Sequence, residues 1–198
     1  MKKFIVCLIL NFLSLSAHAT VADNSGGVDN YVNQLIKDGL EIFTDQNLAQ
    51  DDKIAKSKKL ILANLDSDWM AKFTLGVYRR TLTPEQIKQF TEVYSNYVSK
   101  VYADLVKNYH GQQPKVEQVR TLDQGEFMVE MLIGTVKVNY LVRQKDASDK
   151  TSFKVSDVIT EGVSMLNSQQ SEFMNILSNS GFDTLIDELI KKSLLMVT

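Results

Sequence analysis

The hydrophobic period of this chain changes twice, and that change restricts the fold more than any other feature. In the first half, Val28, Val32, Leu35, Ile36, Leu40 and Phe43 recur at intervals of three and four, as do Ile54, Leu60, Ile61 and Leu65 after a loop near 46–50. Each set lies on one face of a helix. The lysines within 51–59 then read as the wet face of the second helix rather than a basic patch. From Lys115 the period is two. Phe127, Val129, Met131 and Ile133 alternate with Glu130 and its neighbours, and Val136, Val138, Tyr140 and Val142 alternate with Lys137, Asn139 and Arg143. Both runs predict strands. Residues 115–122 add an outer strand, and 146–150 form a hairpin loop before a further strand over 152–159. The helical period then returns, with Met165, Leu166, Phe173, Ile176 and Leu177 before Gly181 and Leu185, Ile186, Leu189 and Ile190 after it.

Local signals fix element ends. A short third helix is expected over 66–76, through Trp69, Met70, Phe73 and Leu75, with Gly76 suited to a helix end. Thr83-Pro84-Glu85-Gln86 supplies a capping hydroxyl, a proline at the first helical position and a glutamine three residues past the cap. A long helix should follow, with Ile87, Phe90, Tyr94, Tyr97, Val98, Val101 and Leu105 as its apolar stripe, Tyr102 and Tyr109 beside it, and an end near His110-Gly111. Helices, a meander, then helices predict an α+β fold in which a curved antiparallel sheet packs one face against helices and leaves the other wet.

The first nineteen residues read as a targeting segment: Lys2 and Lys3, an apolar run from Phe4 to Leu15, and the small-x-small site Ala17-His18-Ala19. Cleavage after Ala19 is expected, with 20–198 forming a single domain outside the cytoplasm. The apolar run is shorter than the roughly twenty residues a membrane-spanning helix needs. Cleavage would remove Cys7, leaving no thiol for disulfides or lipidation, and His18, leaving His110 as the sole histidine. It would leave 20 basic against 24 acidic residues, a net charge of −4. That balance argues against nucleic acid, which demands clustered cations.

Catalytic and cofactor-binding patterns are missing. One histidine and no cysteine do not make a zinc set or a cysteine nucleophile. Ser25-Gly26-Gly27 lacks the preceding strand and following lysine of a phosphate loop. Asp187 and Glu188 fit an exposed helix face, and His110 a solvated turn. No cofactor or metal is expected, and no enzyme activity.

Two segments carry a resemblance. Asp66, Phe73, Leu75-Gly76-Val77-Tyr78, Thr83 to Gln86, Phe90, Tyr109 and Gly111 form the first, and Lys154-Val155-Ser156-Asp157-Val158 with Glu161-Gly162-Val163-Ser164-Met165, then Phe173, Gly181 and Leu185-Ile186, the second. The chain resembles the MlaC family, also called the toluene-tolerance auxiliary family. Arg79, Ser156 and Gln170 stand where many members carry tryptophan, tyrosine and arginine. The resemblance implies a monomeric periplasmic protein that holds the two acyl chains of a phospholipid in an apolar pocket. It implies shuttling between an inner-membrane ABC transporter with an MCE-domain subunit and an outer-membrane lipoprotein complex, in support of outer-membrane lipid asymmetry. A ligand-free periplasmic scaffold or accessory subunit of an ABC transport system is the alternative.

A lipid carrier needs a dry cavity, because two sixteen-carbon tails hold roughly thirty methylenes and would cost about 24 kcal/mol to expose. The expected lining is Phe73, Tyr78, Phe90, Tyr94, Tyr97, Phe127, Val129, Met131, Val138, Tyr140, Val155, Val158, Met165 and Phe173, with the strand residues facing the Phe90, Tyr94 and Tyr97 stripe. Ordinary core packing is as good a reading for any one of them. Arg143, Lys145 and Lys154 read as solvated strand-edge charges rather than a head-group site, and Ser164 as a helix-opening cap rather than a nucleophile.

Overall fold

The computed structural model describes residues 25–107, 111–149 and 151–195. The expected targeting segment with Cys7 and His18, and the turn residues Tyr109 and His110, lie outside them, as does the side chain of Leu105. The elements run α1 (Ser25–Thr44), α2 (Gln50–Asn64), α3 (Ser67–Thr74), a 3-10 turn (Gly76–Arg80), α4 (Pro84–Lys107), β1 (Pro114–Asp123), β2 (Glu126–Ile133), β3 (Val136–Gln144), β4 (Phe153–Thr160), β5 (Val163–Ser164) and α5 (Met165–Leu195). The fold is α+β. The five strands form one open antiparallel sheet in the order β1-β2-β3-β4-β5.

The period-two pattern sets the register. Phe127, Val129 and Met131 on β2 pair with Val142, Tyr140 and Val138 on β3, so one face of the pair is continuously apolar. Those three β2 residues are buried while Met128, Glu130 and Leu132 are half-buried. Glu130 on that outer face meets Arg120 of β1. Register shifts at Val116/Gln118, Thr121/Asp123 and Leu141/Val142 break the ladder, which bends strands and increases their twist.

The start of α4 follows its sequence signature: the Gln86 N–H donates to Thr83 Oγ1 at 3.2 Å and the Thr83 N–H to Gln86 Oε1 at 3.0 Å. These two backbone donors at the helix start are thereby satisfied reciprocally. The segment expected as one helix over 66–76 divides instead. Asp66 precedes the helix, Leu75 closes it, and Gly76, at φ 54°, opens the 3-10 turn. A side chain at Gly76 would strike Met174 Sδ at 2.6 Å, so the glycine serves close approach of this turn to α5 as well as its backbone angle. The two expected tail helices meet at Gly181 within α5: its φ 83°, ψ −179° is not helical and lies in a region essentially reserved for glycine, so α5 is two helices joined at a kink. The two-residue strand β5 has no counterpart in the sequence reading, because two residues carry no period.

The core has an aromatic centre. Phe173 of α5 sits edge-on to Phe90, Tyr94 and Tyr97 of α4, with ring centroids 6.0 to 6.2 Å apart. The Tyr94 hydroxyl donates to Gln169 Oε1 at 2.8 Å, and burial raises its phenol well above the ordinary range. The pairing satisfies a hydroxyl that would otherwise be costly to bury.

Candidate functional site

Beside this packed centre the helices and the sheet separate. A cavity of about 520 Å³ lies between α1, α2 and the inner face of the sheet, with Tyr102 of α4 on its wall. That volume falls within the roughly 300–1,000 Å³ usual for small-molecule pockets. Val32, Leu35, Ile36, Gly39, Leu40 and Phe43 line it from α1, one helical stripe by spacing. Leu60, Ile61 and Leu65 line it from α2 and its end, and Met131, Ile133, Val138, Tyr140, Val155 and Val158 from the strands. Ser57 and Asn64 of α2, with Gln112, Pro114, Val136 and Thr160, complete the lining. Leu35, Ile36, Leu40 and Phe43 are only half-buried, as expected for apolar side chains that face a void. A depression of similar size on α1 and α2 is bordered by Asp38, Glu41, Asp45, Lys56 and Lys59. Its charged rim suits water, not hydrocarbon.

Of the fourteen residues expected to line a pocket, the structure brings Met131, Val138, Tyr140, Val155 and Val158 together at the cavity. The other nine are placed elsewhere. Phe90, Tyr94, Tyr97 and Phe173 make the aromatic centre. Phe127 packs edge-on to Phe153 at 5.9 Å and Val129 is fully buried. Phe73 stacks on Trp69 at 5.2 Å, while Tyr78 and Met165 pack against the edge of the core. The inner strand residues thus face α1 and α2 at the cavity, where the sequence reading put the α4 stripe opposite them. The α1 residues were visible as an apolar stripe, but the stripe alone does not say whether a neighbour or a void stands opposite.

Specific contacts hold the cavity wall. Asp66, 4% exposed, accepts two hydrogen bonds from Lys145 Nζ at 2.8 and 2.9 Å and donates its N–H to the Val155 carbonyl at 2.8 Å. Lys154 Nζ donates to the Ala63 carbonyl, and the Tyr31 hydroxyl to the Asn64 carbonyl at 3.3 Å. These contacts tie the end of α2 to β4 and α1. Burial raises the Tyr31 phenol, against a smaller opposing effect of the Val155 backbone. Arg143 donates to Glu126 Oε1 at 3.0 Å and lies 4.3 Å over the Trp69 ring. The three cations read as solvated edge charges are therefore all engaged by protein groups.

The block from Asp157 to Ser164 is a polar joint. Asp157, 5% exposed, accepts from Ser164 Oγ at 2.6 Å and from the N–H groups of Leu166 and Val158. Ser164 Oγ accepts the Asn167 N–H at 3.0 Å, capping α5. Ser156 donates to the Leu141 carbonyl at 3.2 Å and Gln170 to the Phe73 carbonyl at 2.7 Å. In contrast, the hydroxyls of Ser57 and Tyr102, both on the cavity lining, are buried with no hydrogen-bond partner among the described residues. An unmade bond of that kind costs roughly 1–3 kcal/mol. Among the described residues no group of three or more His, Cys, Asp or Glu side chains is placed to hold a metal ion. No described helix is long and apolar enough to cross a membrane.

Comparison with known proteins gives a consistent picture. Over 135 residues the chain is 23% identical to the intermembrane phospholipid transport system binding protein MlaC of Haemophilus influenzae, which covers 65% of this chain and 63% of that relative's length. Its fold matches that of a phospholipid-binding protein from Ralstonia solanacearum, solved in complex with a phospholipid, with a TM-score of 0.70 and 19% identity over 89% of this chain and 100% of the other. The sequence profile of the family described as MlaC protein matches residues 33–191, nearly all of the described chain, and on that match the chain belongs to the MlaC family.

Proposed function

We propose that the chain is a periplasmic phospholipid carrier that holds acyl tails in the cavity between α1, α2 and the sheet. It receives and delivers lipid between an inner-membrane ABC transporter with an MCE-domain subunit and an outer-membrane lipoprotein complex, and so helps to maintain outer-membrane lipid asymmetry. The observation that carries this reading is the cavity, whose wall is mostly apolar and carries no charged side chain. Tails moved there from a bilayer keep the roughly 0.8 kcal/mol per methylene that water would take away. Family membership, the Haemophilus relative's name and the phospholipid in the Ralstonia structure support the same reading. The proposed role involves no catalysis, and the serine of the most distinctive motif is occupied in capping α5.

Mass spectrometry of organic extracts from the purified protein tests the proposal. Phospholipid in near-stoichiometric amount is expected. Its reproducible absence, together with failure of the delipidated protein to take up phospholipid from vesicles, would favour a ligand-free scaffold.

A further inference from the structure

A cavity meant only for hydrocarbon has no use for hydroxyl groups, yet this one has two without protein partners among the described residues. Ser57 is the one fully buried residue of α2, at 2% exposure, and Leu60, Ile61 and Asn64 of the same lining follow it at three, four and seven residues. Ser57 therefore shares the cavity-facing side of α2. Tyr102, 8% exposed, joins the wall from α4. Ser57 Oγ and Tyr102 Oη are both buried and unpartnered among the described residues. Each is a donor in need of an acceptor.

We propose that the Ser57 and Tyr102 hydroxyls form a polar subsite that donates hydrogen bonds to the ester carbonyl oxygens of the bound lipid. This rests on phospholipid binding at this cavity and specifies which part of the lipid is recognised. Ester carbonyls sit where tails join the head, so drawing tails into an apolar cavity strips water from them next. They accept and do not donate, which matches two unpartnered hydroxyls. Burial foremost, then the Asp157 charge, raises the Tyr102 phenol, which keeps it protonated as a donor. The subsite thus reads the acyl linkage rather than the head group.

The test compares a diacyl phosphatidylethanolamine with its dialkyl ether analogue of equal chain length, which keeps head and tails but lacks both carbonyls. Delipidated wild-type protein is expected to bind the diacyl lipid about tenfold more tightly, a difference of about 1.4 kcal/mol. Tyr102→Phe and Ser57→Ala should each narrow that ratio, and the double variant should bring it within about twofold, a few tenths of a kcal/mol. Because each substitution removes an unpartnered buried hydroxyl, the lipid-free variants should melt no lower than wild type. Equal binding of both lipids by wild type overturns the subsite and leaves the carrier reading standing. A preference that survives in the double variant, or a loss of both lipids in parallel, also overturns it, and wild type that binds neither lipid overturns the carrier reading as well.

Discussion

Val138 and Ser164 lie in the chain's two most legible regions, yet their substitutions should affect different properties. Val138 lines the cavity at 9% exposure, paired with Met131 and Thr160. Val138→Asp places a carboxylate without a partner among apolar side chains, a burial that costs several kcal/mol. Loss of bound phospholipid, with the circular dichroism spectrum retained, is the expected outcome. A folded variant that still carried lipid would remove Val138 from the site. Ser164→Ala should instead cost about 1 kcal/mol through loss of the α5 cap and the Asp157 contact. For a chain of this size that corresponds to a melting temperature lower by roughly 2–4 °C, with lipid content unchanged. Were lipid lost and melting unaltered, the joint would belong to the binding site and not to the fold.

At the scale of elements, α1 is the informative helix because its apolar stripe includes a glycine. A Cβ built at Gly39 meets only the Phe43 ring, at 3.8 Å, an ordinary contact with space beyond it. Glycine within a helix costs about 1 kcal/mol relative to alanine, so Gly39→Ala should raise the melting temperature while lipid still binds. Gly39→Phe would project a ring into the space proposed for tails. Bound lipid per protein is expected to fall without any polar group being introduced, which distinguishes occlusion from the charge effect at Val138. If the phenylalanine variant bound lipid normally, the tails would have to lie away from α1. The end of α2 behaves differently. It is fastened to the sheet through Asp66 with Lys145, just past β3, and through the Ala63 carbonyl with Lys154 of β4, partners separated by 79 and 91 residues in sequence.

For the whole molecule, the arrangement of charge predicts head-group tolerance. Arg143, Lys145 and Lys154 are engaged by Glu126, Asp66 and the Ala63 carbonyl. The cavity wall itself is built from apolar side chains, with Tyr102, Tyr140 and a few neutral polar groups. Affinity then comes from methylenes that every common phospholipid shares. Phosphatidylethanolamine and phosphatidylglycerol should compete for delipidated protein within about tenfold of each other, or about 1.4 kcal/mol. A hundredfold preference for the anionic lipid, removed by Arg143→Gln or Lys154→Gln, would reveal a head-group site at those cations.

The sequence by itself determined whatever is settled within a few residues. The switch of period from 3.6 to 2 and back marked helices, meander and helix, Thr83 and Gln86 marked the start of α4, and Ser164 marked the cap of α5. Each is a local bargain between a side chain and its neighbouring backbone. The tertiary structure alone decided which apolar faces close on one another and which stand apart. Phe90 and Leu35 carry the same helical signal, yet Phe90 is sealed against Phe173 while Leu35 borders the cavity. Periodicity records that a face avoids water. Whether that face meets a side chain or an empty space depends on the curvature of the sheet and on where contacts such as Asp66–Lys145 pin α2 to it.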